Sequence, residues 1–136
     1  KDKISEGAES TPCSPSIFAS DTDHSAMENL IDTRRVHPGF DRISPTCADF
    51  FDITPPKTDS GVVVLNPPYG LRLGKDLDID RFYKEIGKKL STDFKGWRAG
   101  IIYPEKKLGK ALNLGLSPMP LFHGGIDLFV GLGQIS

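Results

Sequence analysis

Directly after the run Gly61-Val62-Val63-Val64-Leu65 the sequence places Asn66-Pro67-Pro68-Tyr69-Gly70. The run is apolar and β-branched in its centre, which predicts a strand covered on both faces, as in a parallel sheet. Pro67 and Pro68 cannot extend a sheet, and they stiffen the loop that follows it. Asn66 offers an amide oxygen and Pro67 a free backbone carbonyl. Together these two oxygens can accept both hydrogens of an –NH2 group. Tyr69 offers a flat face to a planar base, and such stacking is worth roughly 1–3 kcal/mol per base. Open α/β sheets bind ligands beyond the carboxyl ends of their strands, which is where this loop falls. The plainer alternative is a rigid turn with a half-buried tyrosine. The fully apolar strand just before it favours the chemical reading.

The elements that must position this loop can be read on either side of it. Residues 1–15 are rich in Ser, Glu, Pro and Lys, show no periodicity and read as a flexible segment. Ile17-Phe18-Ala19 is a short apolar run and starts the ordered part, residues 16–136. Asp23 is placed to cap a helix that carries Ala26, Met27, Leu30 and Ile31 at helical spacing and stops before His37-Pro38-Gly39. A short strand fits around Ile43, and Thr54-Pro55-Pro56 reads as a loop. After the Asn66 loop, Asp80 is expected to cap a helix with Phe82, Ile86 and Leu90 on one stripe. Arg98 to Tyr103 reads as a second buried strand. Leu108, Ala111 and Leu112 form a shorter helix closed by Gly115. Leu116 to Phe122, with Pro118 and Pro120, reads as an edge strand. His123-Gly124-Gly125 makes a turn into the alternating strand Ile126, Leu128, Val130, Leu132. The order is α/β: a mostly parallel sheet that ends in an antiparallel hairpin.

Bulk properties narrow the function. The chain has 136 residues and a formal net charge of −1, so no overall basic field draws a nucleic acid to it. Any such contact needs a local patch. Lys84, Lys88, Lys89 and Lys95 gather around one helix, and Lys106, Lys107 and Lys110 around the next. These read first as solvated faces and second as groups that touch phosphates. The two cysteines, Cys13 and Cys47, lie far apart without metal-ligand spacing and read as reduced thiols of a cytoplasmic protein. His24, His37 and His123 show no metal spacing either, and Trp97 reads as core. No apolar run approaches the ~20 residues of a membrane span.

The residues from Asn66-Pro67-Pro68-Tyr69-Gly70 through Arg72-Leu73-Gly74, then Phe82-Tyr83-Lys84-Glu85-Ile86-Gly87, then Phe94-Lys95-Gly96-Trp97-Arg98-Ala99 carry a family likeness. The stretch resembles the amino-group methyltransferases with an Asn-Pro-Pro-Tyr motif. It is most similar to the THUMP-associated ribosomal-RNA guanine-N2 methyltransferases. The resemblance implies a Rossmann-like methyltransferase sheet, S-adenosylmethionine as cofactor, and transfer of its methyl group to an exocyclic amine of an RNA base. It makes Asn66, Pro67, Pro68 and Tyr69 the catalytic loop, and it counts Asn66 among the cofactor's neighbours too. It assigns Asp21 to the ribose hydroxyls of the cofactor, Asp49 to its adenine amino group, and Phe50 to the face of the adenine. Read from the residues alone, Asp21 and Asp49 are equally turn or cap aspartates and Phe50 a core side chain.

The family's glycine-rich cofactor loop precedes the acid at Asp21. No Gly-x-Gly pattern occurs there, and Gly7 stands alone. The resemblance therefore implies that residues 16–136 are the carboxyl-terminal part of a methyltransferase domain lacking its first strand. In the strand order 3-2-1-4-5-7-6 that strand is central, and its absence leaves open edges that invite self-association or a second chain supplying a strand. Rival functions stay open at this stage. They are methylation of DNA adenine or of a protein glutamine, or an inactive piece that serves as an RNA-binding or structural element.

Overall fold

The computed structural model describes residues 15–69 and 76–136. The expectations for residues 1–14, with Gly7 and Cys13, and for the Arg72-Leu73-Gly74 part of the likeness lie outside the described residues. Chain contacts divide the protein into two units, Lys1–Ile53 and Thr54–Ser136.

The first unit is a parallel crossover. Strand β1 (Ile17–Asp21) leads to helix α1 (His24–Val36) and strand β2 (Ile43–Cys47). The strands pair in parallel from Ile17 beside Ile43 to Asp21 beside Cys47. Asp23 caps α1 as expected, its carboxylate accepting the Ser25 N–H at 2.9 Å. The helix ends at His37, where Pro38 cannot continue it and Gly39 takes a left-handed turn at φ 97°. Arg34 and Arg35 in its last turn suit the negative end of the helix dipole. The strand expected near Ile43 forms despite Pro45, which an edge strand tolerates.

The second unit contains β3 (Val62–Leu65), α2 (Ile79–Asp93), β4 (Arg98–Tyr103), α3 (Lys106–Ala111), β5 (Ser117–His123) and β6 (Ile126–Gln134). Its sheet runs β3-β4-β6-β5, parallel between β3 and β4 and antiparallel through β6 to β5. That is the order the family likeness implies for the last four strands. Pro118 and Pro120 share one side of β5, the outermost strand, so their missing N–H groups fall on the unpaired side of the ladder. Gly124 and Gly125, at φ 58° and 80°, supply the two left-handed residues of a tight hairpin turn.

Three expectations need correction. A mostly parallel sheet was expected, whereas two of the four strand pairings among the described residues, β4 with β6 and β5 with β6, are antiparallel; the division into sheets of two and four strands accords with the expected absence of the central strand. The β3 strand is not covered on both faces: Val63 is 9% exposed, but Val62 is 65% and Val64 71% exposed. The covered face meets the helices, where Val63, Ala99, Ile101 and Tyr103 are buried together with Tyr83, Ile86, Leu90, Leu108 and Leu112. Full burial of such side chains stabilises by roughly 1.5–3 kcal/mol each, so this layer holds the unit together. Helix boundaries also moved. Asp78 rather than Asp80 caps α2, accepting the Arg81 N–H at 3.0 Å. Asp80 sits in the first turn, where its charge suits the helix dipole. Helix α3 closes at Asn113, which adopts φ 53°, two residues before Gly115.

The buried stripe of α2 is Tyr83, Ile86, Gly87 and Leu90, spaced i, i+3, i+4, i+7. Gly87 is there because α3 comes so near that a Cβ would collide with the carbonyl of Leu112. Gly87→Ala must push the helices apart, and we expect it to destabilise the protein by about 1–3 kcal/mol, as overpacking does. A chemical-denaturation curve that matches the parent would refute this tight helix contact.

Candidate active site

The loop after β3 is held from below. Leu65, the last β3 residue, lies beside Ile101 of β4, and Pro67 is buried. Asn66 and Pro68 are exposed and Tyr69 is half-buried. Among the described residues no group hydrogen-bonds the Asn66 amide, so both ends of the side chain are open to a ligand. The anchored proline beside the exposed asparagine presents polar atoms from a stiff backbone, and preorganisation of this kind limits the ordering cost of binding. Because β5 is antiparallel to β6 and β6 to β4, strands β3, β4 and β5 all end at one edge of the sheet. That edge carries the Asn66 loop, Tyr103 and the β5–β6 turn.

Two features of this edge escaped the sequence reading. The first is Tyr83, which replaces Phe82 in the buried stripe. Its hydroxyl reaches toward the Ile102 carbonyl at 3.5 Å. Burial pushes its phenol far above the ordinary tyrosine range, and the nearby Tyr69 raises it further. Tyr69 therefore lies within electrostatic range of the Tyr83 phenol on α2. The signal was the glycine at position 87, which marks the side of α2 that faces another helix. The second is a stack in which the Tyr103 and Phe129 rings lie 6.1 Å apart at 22°. Lys106 Nζ sits 5.4 Å from the centroid of Phe129. Phe129 is opposite in parity to Leu128 and Val130, the positions used to recognise the strand.

The other proposed site residues lie in the first unit. Asp21 is the last residue of β1, beside Cys47 of β2, and the Ala48 N–H donates to the Asp21 carbonyl at 3.0 Å. Asp49 and Phe50 follow at once, so Asp21 and Asp49 stand at neighbouring strand ends on one edge. Each carboxylate is fixed by one backbone donor: Asp23 N–H to Asp21 Oδ1 and Phe51 N–H to Asp49 Oδ1, both at 2.9 Å. Both side chains are exposed, and each has a second oxygen not engaged by the described residues. Phe50 is half-buried and packs edge-on against Phe51, with centroids 5.5 Å apart. The turn role and the ligand role of these aspartates are therefore compatible, one oxygen for each. These two acceptors and the Phe50 ring fit a nucleoside, whose hydroxyls and amino group need acceptors and whose base needs an apolar face. The Asn66 loop belongs to the second unit.

The remaining candidates are structural. His24, His37 and His123 are exposed, and no group of His, Cys, Asp or Glu able to hold a metal occurs among the described residues. Cys47 is a free thiol. Trp97 is half-buried and meets Phe94 edge-on at 5.3 Å.

Known proteins resemble this chain in sequence and in fold. A family described as "RMKL-like, methyltransferase domain" matches residues 1–126. A ribosomal RNA large subunit methyltransferase K/L from Allochromatium vinosum is 41% identical over 70 residues, 51% of this chain and 10% of the relative. Its counterpart from Cellvibrio japonicus is 34% identical over 116 residues, 82% of this chain and 15% of the relative. The chain thus spans a small part of these curated relatives. Among solved structures, SMU.472, assigned as a methyltransferase and complexed with SAH, superposes with a TM-score of 0.74 at 22% identity. The match covers 88% of this chain and 32% of that one. At that identity the likeness speaks for the fold.

The buried Tyr83 phenol has a consequence at high pH. The unfolded chain releases this proton near pH 10, whereas the folded chain keeps it. Below pH ~10 both states are protonated and the stabilisation is fully present. As pH rises above that value the unfolded state binds fewer protons, and stability falls. Tyr83→Phe has no proton to lose and should flatten that alkaline decline. Urea midpoints at pH 8 and above pH 10 check this; equal losses in parent and variant would remove Tyr83 as the cause.

Proposed function

Because the chain belongs to the RMKL-like methyltransferase-domain family, we propose that it methylates an exocyclic amine of an RNA base, guanine N2 of ribosomal RNA, from S-adenosylmethionine. The observation that carries this reading is the Asn66-Pro67-Pro68-Tyr69 loop, exposed at Asn66 and anchored at Pro67, at the carboxyl end of a parallel strand. The named relatives act on ribosomal RNA, and the superposed structure holds SAH.

In this proposal Asp21 accepts the ribose hydroxyls, Asp49 the adenine amino group, and Phe50 lies against the adenine. Bound S-adenosylmethionine supplies the methyl group from its sulfonium sulfur. The chain's own work is to orient the acceptor. The Asn66 amide oxygen and the Pro67 carbonyl take the two hydrogens of the –NH2 group. That draws the nitrogen lone pair out of conjugation with the ring and aims it at the methyl carbon. Alignment of two reactants can lower a barrier by up to roughly 7–11 kcal/mol. A base lifted from a stack costs a few kcal/mol, part of which stacking on Tyr69 offsets.

Each sheet also keeps an open edge. Among the described residues β1 pairs only with β2, and β3 only with β4. Unpaired backbone groups and the exposed Val62 and Val64 make these edges ready for a further strand. We assign that strand to the rest of a larger methyltransferase domain, of which residues 16–136 are the carboxyl-terminal part; a second copy is the alternative source. A cytoplasmic setting follows from the RNA substrate. No described helix is long and apolar enough to cross a membrane.

Two substitutions separate the roles. Asn66→Ala should remove most methyl transfer to ribosomal RNA and leave S-adenosylmethionine affinity nearly unchanged, since the lost bond is made chiefly in the transition state. Parallel loss of binding and turnover would reject that assignment. Asp21→Ala should instead weaken cofactor binding about ten- to a hundredfold, as expected for a charged hydrogen bond worth roughly 1.5–3 kcal/mol. Calorimetric affinity equal to the parent's would leave Asp21 a turn residue and nothing more.

A further inference from the structure

The two helices of the second unit enclose an open cleft of about 510 Å³, lined by Lys84, Gly87, Lys88 and Ser91 of α2 and by Lys110, Ala111, Leu112 and Asn113 at the end of α3. Its volume lies within the roughly 300–1,000 Å³ typical of ligand sites, too large for a single ion. Lys84, Lys88 and Ser91 are spaced i, i+4, i+7 and so share one face of α2. Gly87, between the first two, lets α3 come close enough to bring Lys110 across from the other wall. Asn113, turned into the left-handed region, adds an amide at the lip.

The charges of this cleft are unbalanced. Two of the three carboxylates of α2 pair with other cations, Glu85 with Arg81 at 3.0 Å and Asp93 with Lys89 at 2.7 Å, while Asp80, in the first turn, does not line the cleft. On the α3 side Glu105 pairs with Lys107 at 3.4 Å. Lys84, Lys88 and Lys110 have no ion pair among the described residues. Three ammonium groups along one concave surface repel one another, and an anionic ligand that spans them relieves that repulsion. This happens on a chain whose net charge is −1, so the positive potential is local to the cleft. The cleft lies on the helix-covered face, apart from the Asn66 loop at the sheet edge.

We propose that the α2–α3 cleft is a docking groove for the sugar–phosphate backbone of the RNA substrate, held by Lys84, Lys88 and Lys110. The proposal rests on the RNA reading above and extends it, because it assigns backbone binding to a surface separate from the amine-binding loop. Phosphate contacts of this kind position a nucleic acid without reading its sequence. The groove therefore governs affinity and salt dependence, while the loop governs transfer.

The test measures binding of a labelled oligouridylate to the protein over a range of salt concentrations, together with methyl transfer to ribosomal RNA. The triple variant Lys84→Gln, Lys88→Gln, Lys110→Gln should bind about tenfold or more weakly. It should also lower the slope of log affinity against log salt by about 2, since each single-strand phosphate contact contributes roughly 0.7. KM for RNA should rise with kcat held, and the triple Lys→Arg variant should restore both. Lys57→Gln with Lys95→Gln, outside the cleft, should leave the slope unmoved. If the triple variant unfolds by circular dichroism, Lys88→Gln alone should lower the slope by about 0.7. A parent that binds and methylates RNA while its cleft variants keep the parental slope overturns the groove and leaves the functional reading standing. Inorganic phosphate bound at the cleft as tightly as RNA also overturns it. A parent that binds no RNA removes both proposals.

Discussion

Where β3 lies parallel to β4, Val63 stands beside Ala99 and Leu65 beside Ile101, and the placing of both α2 and the Asn66 loop follows from that register. A parallel pair cannot be joined by a tight turn, so the chain must cross over, and α2 is the crossover. The helix covers the face that carries Val63, Ala99 and Ile101. Its burial fixes the pleat, and a slip of one residue would expose that whole set. The same register decides where β3 ends, and so where Asn66 emerges. A stiff loop needs a rigid strand behind it: Pro67 is buried because Leu65 is pinned against Ile101, and Asn66 is exposed because Pro67 is buried.

The division of labour within this unit is a matter of faces and edges. The carboxyl edge holds groups that suit a small planar ligand: an amide without a partner among the described residues, a half-buried tyrosine and a stacked Tyr103–Phe129 pair with Lys106 above it. The cleft between the helices holds three lysines, Lys84, Lys88 and Lys110, that have no ion pair among the described residues. In the first unit, β1 and β2 deliver Asp21 and Asp49 to one edge by the same logic of parallel strands. Each carboxylate spends one oxygen on a backbone N–H and keeps one oriented for something else.

Much of this was legible in the sequence because local rules suffice for it. The cap at Asp23, the span of β4, the Gly124-Gly125 turn and the edge character of β5 follow from residue type and spacing alone. The loop motif was legible because two prolines after an apolar strand have few structural uses. What was not legible depends on neighbours. The choice between Phe82 and Tyr83 as the inward residue of α2 turns on where α3 approaches, and only the contact at Gly87 reveals that. The exposure of Val62 and Val64 could not be read from a run of valines, because hydrophobicity shows what a face prefers and not what covers it. The lysines were visible as a cluster. Which of them lack ion pairs among the described residues depends on the side-chain geometry, in which Arg81, Lys89 and Lys107 take Glu85, Asp93 and Glu105.

The central proposal is that Asp21 and Asp49 hold the cofactor and that Asn66 orients the acceptor amine. Backbone amide NMR of the chain joined to the rest of its methyltransferase domain, during a titration with S-adenosylhomocysteine, tests it most directly, since it reads every site at once and needs no turnover. The account predicts that the amides of Asp21, Asp49, Phe50, Asn66 and Tyr69 shift along one saturating curve while those of Lys88 and Lys110 stay in place. Saturable shifts confined to the α2–α3 cleft, with the strand ends unmoved, would contradict it.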